Sequence, residues 1–289
     1  MARSGVEAMS PVIAIRSLSA SSSAGHILRN VSLTVNAGEA MALVGESGAG
    51  KSTIAKAVLG ILPPAIKVSN GEILFDGQDL LRLSPAQIRE LLGVQIALVP
   101  QDPLTSLNPS RRIGEQLTDG LRLRAKLSHA DAMAKALVLL NDVQIRDPAP
   151  VLKRYPHELS GGMRQRVLIA QAFSLNPRVI IADEPTTALD VTVQKQVLRL
   201  IRQLQRDHGT TLLFVTHDLG VVAQICDRMT VLYGGKVLEQ GGTADILRNP
   251  QHRYTRALLA ANPRYDKPEQ GLKPVPEDLI ADLKREIAS

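Results

Sequence analysis

The chain has one cysteine, no tryptophan, and only four tyrosines and three phenylalanines in 289 residues. A lone Cys226 excludes an intrachain disulfide and any cysteine-built zinc or iron–sulfur centre, and it suits a reducing compartment. No apolar run approaches the roughly 18 residues of a membrane-spanning helix. Any membrane association would therefore go through a partner. Val12-Ile13-Ala14-Ile15 is too short, and too closely flanked by Glu7 and Arg16, for a secretory signal. Residues 1–10 read as a disordered leader, with Met9 an alternative start. Lysine and arginine form no run longer than a pair, so the net charge of +6 reads as a solvated surface, and no nucleic-acid partner is expected. There is no internal repeat. Aromatics make up 2% of the chain against 44% hydrophobic residues, which leaves an aliphatic core of Val, Ile, Leu and Ala in one large domain or two small ones.

What is present starts with Gly45 to Thr53, GESGAGKST. It follows the apolar run Ala40 to Val44 and precedes the helix-compatible Ile54 to Leu59. Strand, glycine-rich turn and helix start are the context of a phosphate-binding P-loop. Gly45, Gly48 and Gly50 can take backbone angles closed to residues with a Cβ. The N–H groups of the loop, through Glu46, Ser47 and Ala49, can then converge on one anion, aided by the positive end of the next helix. Lys51 would place a charge between the β- and γ-phosphates, and Ser52, beside Thr53, would ligate Mg²⁺. The loop alone does not say which nucleotide binds.

Periodicity places the other elements. Val12 to Leu18 and Ile27 to Thr34 read as strands around a polar turn over Ser17 to Gly25. Pro63-Pro64 would stop the helix after the P-loop. Gly71 to Gly77 reads as a short strand. Ser84 to Leu92 reads as a helix with a Ser84/Gln87 capping pattern, and Val94 to Val99 as a strand ending at Pro100. Gln101 to Pro109 is a polar loop. From Ile113 to about Tyr155 only helical spacing occurs, with Leu117, Leu121, Leu123, Ala132, Ala136, Leu137, Leu139 and Leu140. Arg178 to Asp183 and Thr211 to Thr216 read as buried parallel strands, separated by a helix whose apolar stripe is Val193, Val197, Leu200, Ile201 and Leu204. A hairpin turning at Gly234-Gly235 follows, then helices over Tyr254 to Ala261 and Glu277 to Glu286. Alternating strands and helices imply an α/β fold.

Two further stretches carry chemistry. Val179 to Ala182 deliver Asp183 and Glu184 at a strand end, the Walker B arrangement. Asp183 would hold Mg²⁺ and Glu184 would act as general base on the attacking water. Leu159-Ser160-Gly161-Gly162-Met163-Arg164-Gln165-Arg166 opens a second helix with an anion-binding start. One chain seldom needs two such starts, so this one would complete another chain's site.

In this order, with Gln101 after a strand, Ala188-Leu189-Asp190 and Val215-Thr216-His217-Asp218, the sequence resembles the ATP-binding cassette (ABC) family over roughly residues 11 to 275. The stretches Gln101 to Pro109 (QDPLTSLNP), Gly45 to Gly48, Thr186 to Thr192 and Gln251 to Leu259 look like those of the dipeptide, oligopeptide and nickel importer ATPases. The resemblance implies a P-loop NTPase core with a mixed, mainly parallel sheet, an N-terminal antiparallel β subdomain and an inserted helical subdomain. It would divide the chain into the leader over 1–10, an ATPase domain over 11–262 with its helical insertion over about 102–176, and a tail over 263–289. It implies ATP and Mg²⁺ as cofactors, with Gln101 sensing Mg²⁺ and the γ-phosphate and His217 contacting that phosphate. Ser160, Gly161, Gly162 and Gln165 would face the partner's ATP, and Asp190 would cross the dimer interface.

The partners so implied are a second ATPase subunit, transmembrane permease subunits and, indirectly, a solute-binding protein, with this chain peripheral on the cytoplasmic face of the plasma membrane. Two other readings are a cassette ATPase in a phosphonate-degrading complex and a nucleic-acid-associated cassette protein. The sequence departs from the family in having no aromatic residue before Phe75 to stack on adenine. Ser22 or its neighbours take that place, and His26 or Ile27 would substitute. It also lacks the cysteine-rich C-terminal segment of many longer relatives, and Cys226 reads as an inert packed thiol.

Overall fold

The computed structural model describes residues 11–187, 189–261 and 275–288. The readings for the leader and for 263–274 lie outside them. Among the described residues ten strands run in chain order: β1 (Pro11–Ser22), β2 (Gly25–Asn36), β3 (Ala40–Val44), β4 (Lys67–Phe75), β5 (Gln78–Asp79), β6 (Ile96–Val99), β7 (Val179–Asp183), β8 (Thr211–Thr216), β9 (Arg228–Tyr233) and β10 (Lys236–Gly242). The helices are α1 (Lys51–Val58), α2 (Pro85–Leu91), α3 (Pro103–Ser106), α4 (Ile113–Leu123), α5 (His129–Asp142), α6 (Pro148–Leu152), α7 (Gly161–Phe173), α8 (Val191–His208), α9 (Leu219–Ile225), α10 (Thr243–Arg248), α11 (Arg253–Ala261) and α12 (Glu277–Ala288).

The strands form two sheets. An antiparallel one has the order β2-β1-β4-β5, and a six-stranded one has the order β10-β9-β3-β8-β7-β6. In the second, β9, β3, β8, β7 and β6 are mutually parallel and only β10 is antiparallel. The expected mixed, mainly parallel sheet with an antiparallel N-terminal partner is what the chain forms, and helices α3 to α7 fall between β6 and β7.

Strand β3 explains why its sequence is apolar at every position. Ala40, Ala42 and Val44 enter one hydrophobic core, shared with α8, α9 and the helices of the insertion. Met41 and Leu43 enter a second core, shared with the antiparallel sheet and α1. A strand covered on both faces has no solvent side on which to place a polar residue. Side chains of β7 and β8 divide the same way: Ile180, Ala182, Leu212 and Phe214 go to the first core, and Ile181, Leu213 and Val215 to the second. Only a few aromatics, Tyr254, Phe173 and Phe214, rank among the largest fully buried side chains, and aliphatics fill the rest.

Several boundaries differ from the sequence reading. The first hairpin turns only at Ser23-Ala24, because Ser17 to Ser22 continue β1 instead of forming a turn. Left-handed residues Ser17 and Asn30 create irregularities in the ladder, and serine hydroxyls close it: Ser32 Oγ accepts from the Ser17 N–H and Ser19 Oγ from the Asn30 N–H. β4 begins at Lys67, since residues 67–70 pair with Ser19 to Ser21. α1 ends at Val58, ahead of the prolines, and Gly60 at φ +64° turns the chain away. The loop after Gln101 contains the single turn α3, capped by the Asp102 carboxylate accepting from the Leu104 N–H at 2.8 Å.

Other features follow the pattern. The capping box of α2 is complete: Ser84 Oγ accepts from the Gln87 N–H at 3.3 Å, and Gln87 Oε1 from the Ser84 N–H at 2.9 Å. In the insertion, Ile113, Leu117 and Leu121 form a buried stripe on α4 at a spacing of four. Leu123 falls off that stripe and is 68% exposed, so its inclusion in the apolar face is corrected. Cys226 is buried, and burial raises its thiol well above the usual range, which keeps it protonated and inert.

Candidate functional site

Because β3, β7 and β8 are parallel neighbours, the loops after them leave one edge of the sheet together. Those loops carry Gly45 to Ser52, Glu184 and His217. Ser47, Gly48, Gly50, Lys51, Ser52, Glu184 and His217 from these loops, with Gln101 after β6, Ile27 and Thr53, line one open cleft of about 740 Å³.

The loop after β3 needs its glycines for two separate reasons. A Cβ on Gly45 would lie 2.3 Å from the Leu232 carbonyl oxygen, so only glycine lets the loop rest on the end of β9. Gly50 caps α1 at φ +99°, a region disfavoured for residues with a Cβ, and a Cβ there would lie 2.7 Å from Leu28. The concave backbone and helix start left by these constraints fit a polyphosphate. Lys51 is 5% exposed, and its Nζ donates to the carbonyls of Gly45 at 2.7 Å and Glu46 at 2.9 Å. Burial pushes the Lys51 ammonium pKa below the ordinary lysine value, opposed by the charges of Glu184, Asp183 and Glu46. A bound phosphate would add further negative charge beside the ammonium and favour its charged form.

Ser52 Oγ donates to Asp183 Oδ1 at 3.1 Å, joining the start of α1 to the end of β7. Hydroxyl and carboxylate are hard oxygen donors suited to Mg²⁺. Among the described residues no group of three or more His, Cys, Asp or Glu could hold a metal unaided. A cation here would share phosphate oxygens with Ser52 and Asp183. Burial raises the Asp183 carboxyl above its ordinary range, while the Ser52 hydroxyl and the Lys56 and Lys51 charges pull the other way. A group raised on folding contributes stability only at low pH and has lost it by neutrality. We expect Asp183→Asn, which keeps an acceptor for Ser52, to raise the melting temperature by roughly 2–4 °C at pH 7.5 in scanning calorimetry. The same substitution should abolish the Mg²⁺ dependence of nucleotide binding.

Glu184 follows at φ +46°, the left-handed region, which side chains of its size seldom occupy outside constrained sites. Its N–H donates to the Val215 carbonyl at 2.9 Å, fixing it to β8. Its carboxylate collects three neighbours. Oε2 accepts from Gln101 Nε2 at 3.3 Å and from Thr187 Oγ1 at 3.0 Å, and Oε1 lies 3.2 Å from His217 Nδ1. Residues from three loops thus converge on one carboxylate. Thr187 is the member that sequence reasoning missed; it lies in the Thr186-Thr187 pair, but no pattern signalled that its hydroxyl would turn to Glu184.

The second helix start lies elsewhere. Ser160 caps α7, accepting from the Met163 N–H at 3.3 Å. A Cβ on Gly161 would meet nothing within 4 Å, whereas one on Gly162 would lie 2.8 Å from Val193 Cγ1. Neither Ser160 nor Gly162 lines the phosphate-loop cleft. Gly161 and Gln165 line a separate cavity of about 200 Å³ with Gln101, Pro103, Pro185 and Leu189. Gln165 is 1% exposed and its Nε2 has no hydrogen-bond partner, so within this chain it lines that cavity as a buried amide, whereas Gly161 is exposed. Asp190 caps α8, accepting from the N–H groups of Thr192 and Val193 at 3.0 Å each. Ile27, from the antiparallel sheet, also lines the phosphate-loop cleft.

The profile of the family described as "ABC transporter" matches residues 28–187, and that described as "Oligopeptide/dipeptide transporter, C-terminal region" matches residues 238–285. The chain is 50% identical over 252 residues to the probable D,D-dipeptide transport ATP-binding protein DdpD of Escherichia coli, covering 87% of this chain and 77% of that protein. It is 46% identical over 258 residues to the dipeptide transport ATP-binding protein DppD of Bacillus subtilis, covering 88% and 77%. Among solved structures, the post-hydrolysis dimer of the ATP-binding cassette MJ0796 bound to ADP and Pi superposes with a TM-score of 0.71 at 27% identity, over 80% of this chain and 98% of that one.

Proposed function

The chain belongs to the ABC transporter family, and we propose from this premise that it is the ATP-hydrolysing subunit of an importer for peptides or a related small solute. The observation that carries the reading is the convergence of Gln101, Thr187 and His217 on Glu184 at the mouth of the phosphate-loop cleft. ATP would lie with its phosphates in the loop Gly45 to Thr53 and its base toward Ile27. Mg²⁺ would be held by Ser52 and Asp183, with Gln101 near it, and would supply charge neutralisation to the phosphates. Glu184 would take a proton from the attacking water, and His217 would hold both Glu184 and the γ-phosphate in place. Ser160 and Gly161, which do not line this chain's own cleft, would complete the site of a second ATPase subunit, with Gln165 on the same helix and Asp190 at the shared interface. The ATPase domain spans 11–262, with a helical insertion over about 102–176 and a tail beyond.

A groove supports the permease partner. About 380 Å³ in volume, it lies between the core and the insertion, and its lining includes Leu59, Ile61, Leu92, Pro100 and Leu168. Ile61 is 47% exposed and Leu104, nearby in sequence to Pro100, 61% exposed. Apolar residues held open at such a groove suit a helix of the permease, docked from the cytoplasmic face. No helix among the described residues is long and apolar enough to cross a membrane. No specific observation favours the phosphonate-complex or nucleic-acid readings. The test is purification of the tagged chain from detergent-solubilised membranes. Polytopic permease subunits should co-purify and should be lost on Ile61→Asp; co-purification of soluble enzymes alone would overturn the reading.

A further inference from the structure

The C-terminal helix α12 does not stand apart from the ATPase core. Leu283 is 1% exposed, and Arg253 of α11 forms ion pairs with Asp282 and Glu286 on α12. Lys236 Nζ, just after the β9–β10 turn, donates to the Glu286 carbonyl at 3.0 Å. Ile287 covers the turn itself: a Cβ on Gly234 would lie 2.5 Å from Ile287 Cδ1.

That turn is the back wall of the phosphate loop. The Gly235 N–H donates to the Ala49 carbonyl inside the loop at 3.2 Å. Gly235 approaches Ile27 so closely that a Cβ would lie 2.2 Å from the Ile27 carbonyl oxygen. Arg29 ties the turn to β2: its N–H donates to the Gly235 carbonyl and its guanidinium to the Gly234 carbonyl, both at 2.8 Å. One residue before the turn, Tyr233 packs on Tyr254 of α11 with ring centroids 4.8 Å apart. Tyr254 is fully buried, and Glu46 of the phosphate loop lies against its hydroxyl without closing a hydrogen bond of ordinary geometry. Glu46 in turn accepts from Lys51 through its carbonyl.

From this chain of contacts we propose that α12 is a positioning element of the nucleotide site, with Ile287 as its positioning residue. By covering Gly234, Ile287 holds the turn against both the phosphate loop at Ala49 and the wall residue Ile27. The inference rests on the ATPase reading above and adds that the C-terminal region sets nucleotide affinity. Among the described residues none of α12, Ile287 included, lines the cleft, so its effect passes through the turn and its neighbours. A positioning element of this kind moves binding and leaves the chemistry at saturation in place.

The test measures ATP binding and steady-state hydrolysis on the full chain. Ile287→Asp should raise the Kd and KM for ATP about fivefold while kcat at saturating ATP stays within about twofold, and Ile287→Leu should restore the unaltered values. Arg253→Gln, which cuts the exposed ion pairs without touching the turn, should shift KM in the same direction and serves if Ile287→Asp fails to fold. Unchanged ATP affinity in a folded Ile287→Asp or Arg253→Gln chain, with only the melting temperature lowered, would overturn this inference alone. Failure of the unaltered chain to bind ATP would overturn the proposed function and this inference with it.

Discussion

Glu184→Gln should lower ATP turnover by a hundredfold or more, about the contribution of a positioned general base, while ATP-dependent association of subunits persists. Glutamine is nearly the same size and can still accept from Gln101 and Thr187 through its carbonyl oxygen, so the arrangement around the position survives. What it cannot do is take the proton of the attacking water. The φ of +46° and the N–H bond to Val215 belong to the backbone and are indifferent to the exchange. Phosphate release would report turnover, and light scattering with and without ATP would report association, with any co-purifying ATPase subunit included. Undiminished phosphate release would remove Glu184 from its assigned role. Loss of ATP-dependent association together with turnover would instead mean that the carboxylate is a structural member of the cleft.

The second large effect is expected at Gly161, where a glutamate should abolish hydrolysis without harming the fold. A Cβ there meets nothing within 4 Å, and an acidic side chain at the first turn of α7 suits the helix dipole. The monomer should therefore melt within roughly 0.5 kcal/mol of the unaltered chain, and ATP should bind its phosphate loop as before. If α7 presents its start to the partner's nucleotide, a carboxylate would sit against the γ-phosphate and prevent closure. Gly162→Ala is the contrasting case. Its Cβ would crowd Val193 Cγ1 at 2.8 Å, so it should destabilise the packing of α7 on α8 in the isolated chain. Normal turnover in Gly161→Glu would reduce Ser160 to Gly162 to an ordinary helix cap.

The residues that could be read from sequence are those whose chemistry allows few alternatives. A loop that must bring backbone within van der Waals distance of Leu232 needs glycine at Gly45, and the requirement is written in the residue itself. The apolar runs Ala40 to Val44, Val179 to Ala182 and Leu212 to Val215 declare strands covered on both faces. The capping box of α2 declares its start. Where several residue types serve equally, reading failed. Ser17 to Ser22 look like a turn because serine favours one, yet cross-strand hydroxyl bonds and burial of Leu18 and Ala20 hold them in β1. Contacts between residues far apart in the chain leave no local trace. The burial of Gln165, the turn of Thr187 toward Glu184 and the seating of Tyr254 behind Glu46 depend on segments brought together only by the finished sheet.

The division of β3 between two cores has a consequence for how such a chain can change over generations. Its odd and even positions report to different neighbourhoods, so a substitution in the helical insertion and one in the N-terminal sheet share no packing partner and should combine additively. A lineage can then reshape the helices of the insertion to suit a new membrane partner without disturbing the wall at Ile27. Both alterations can accumulate while the sheet edge carrying Lys51, Asp183 and Glu184 stays fixed.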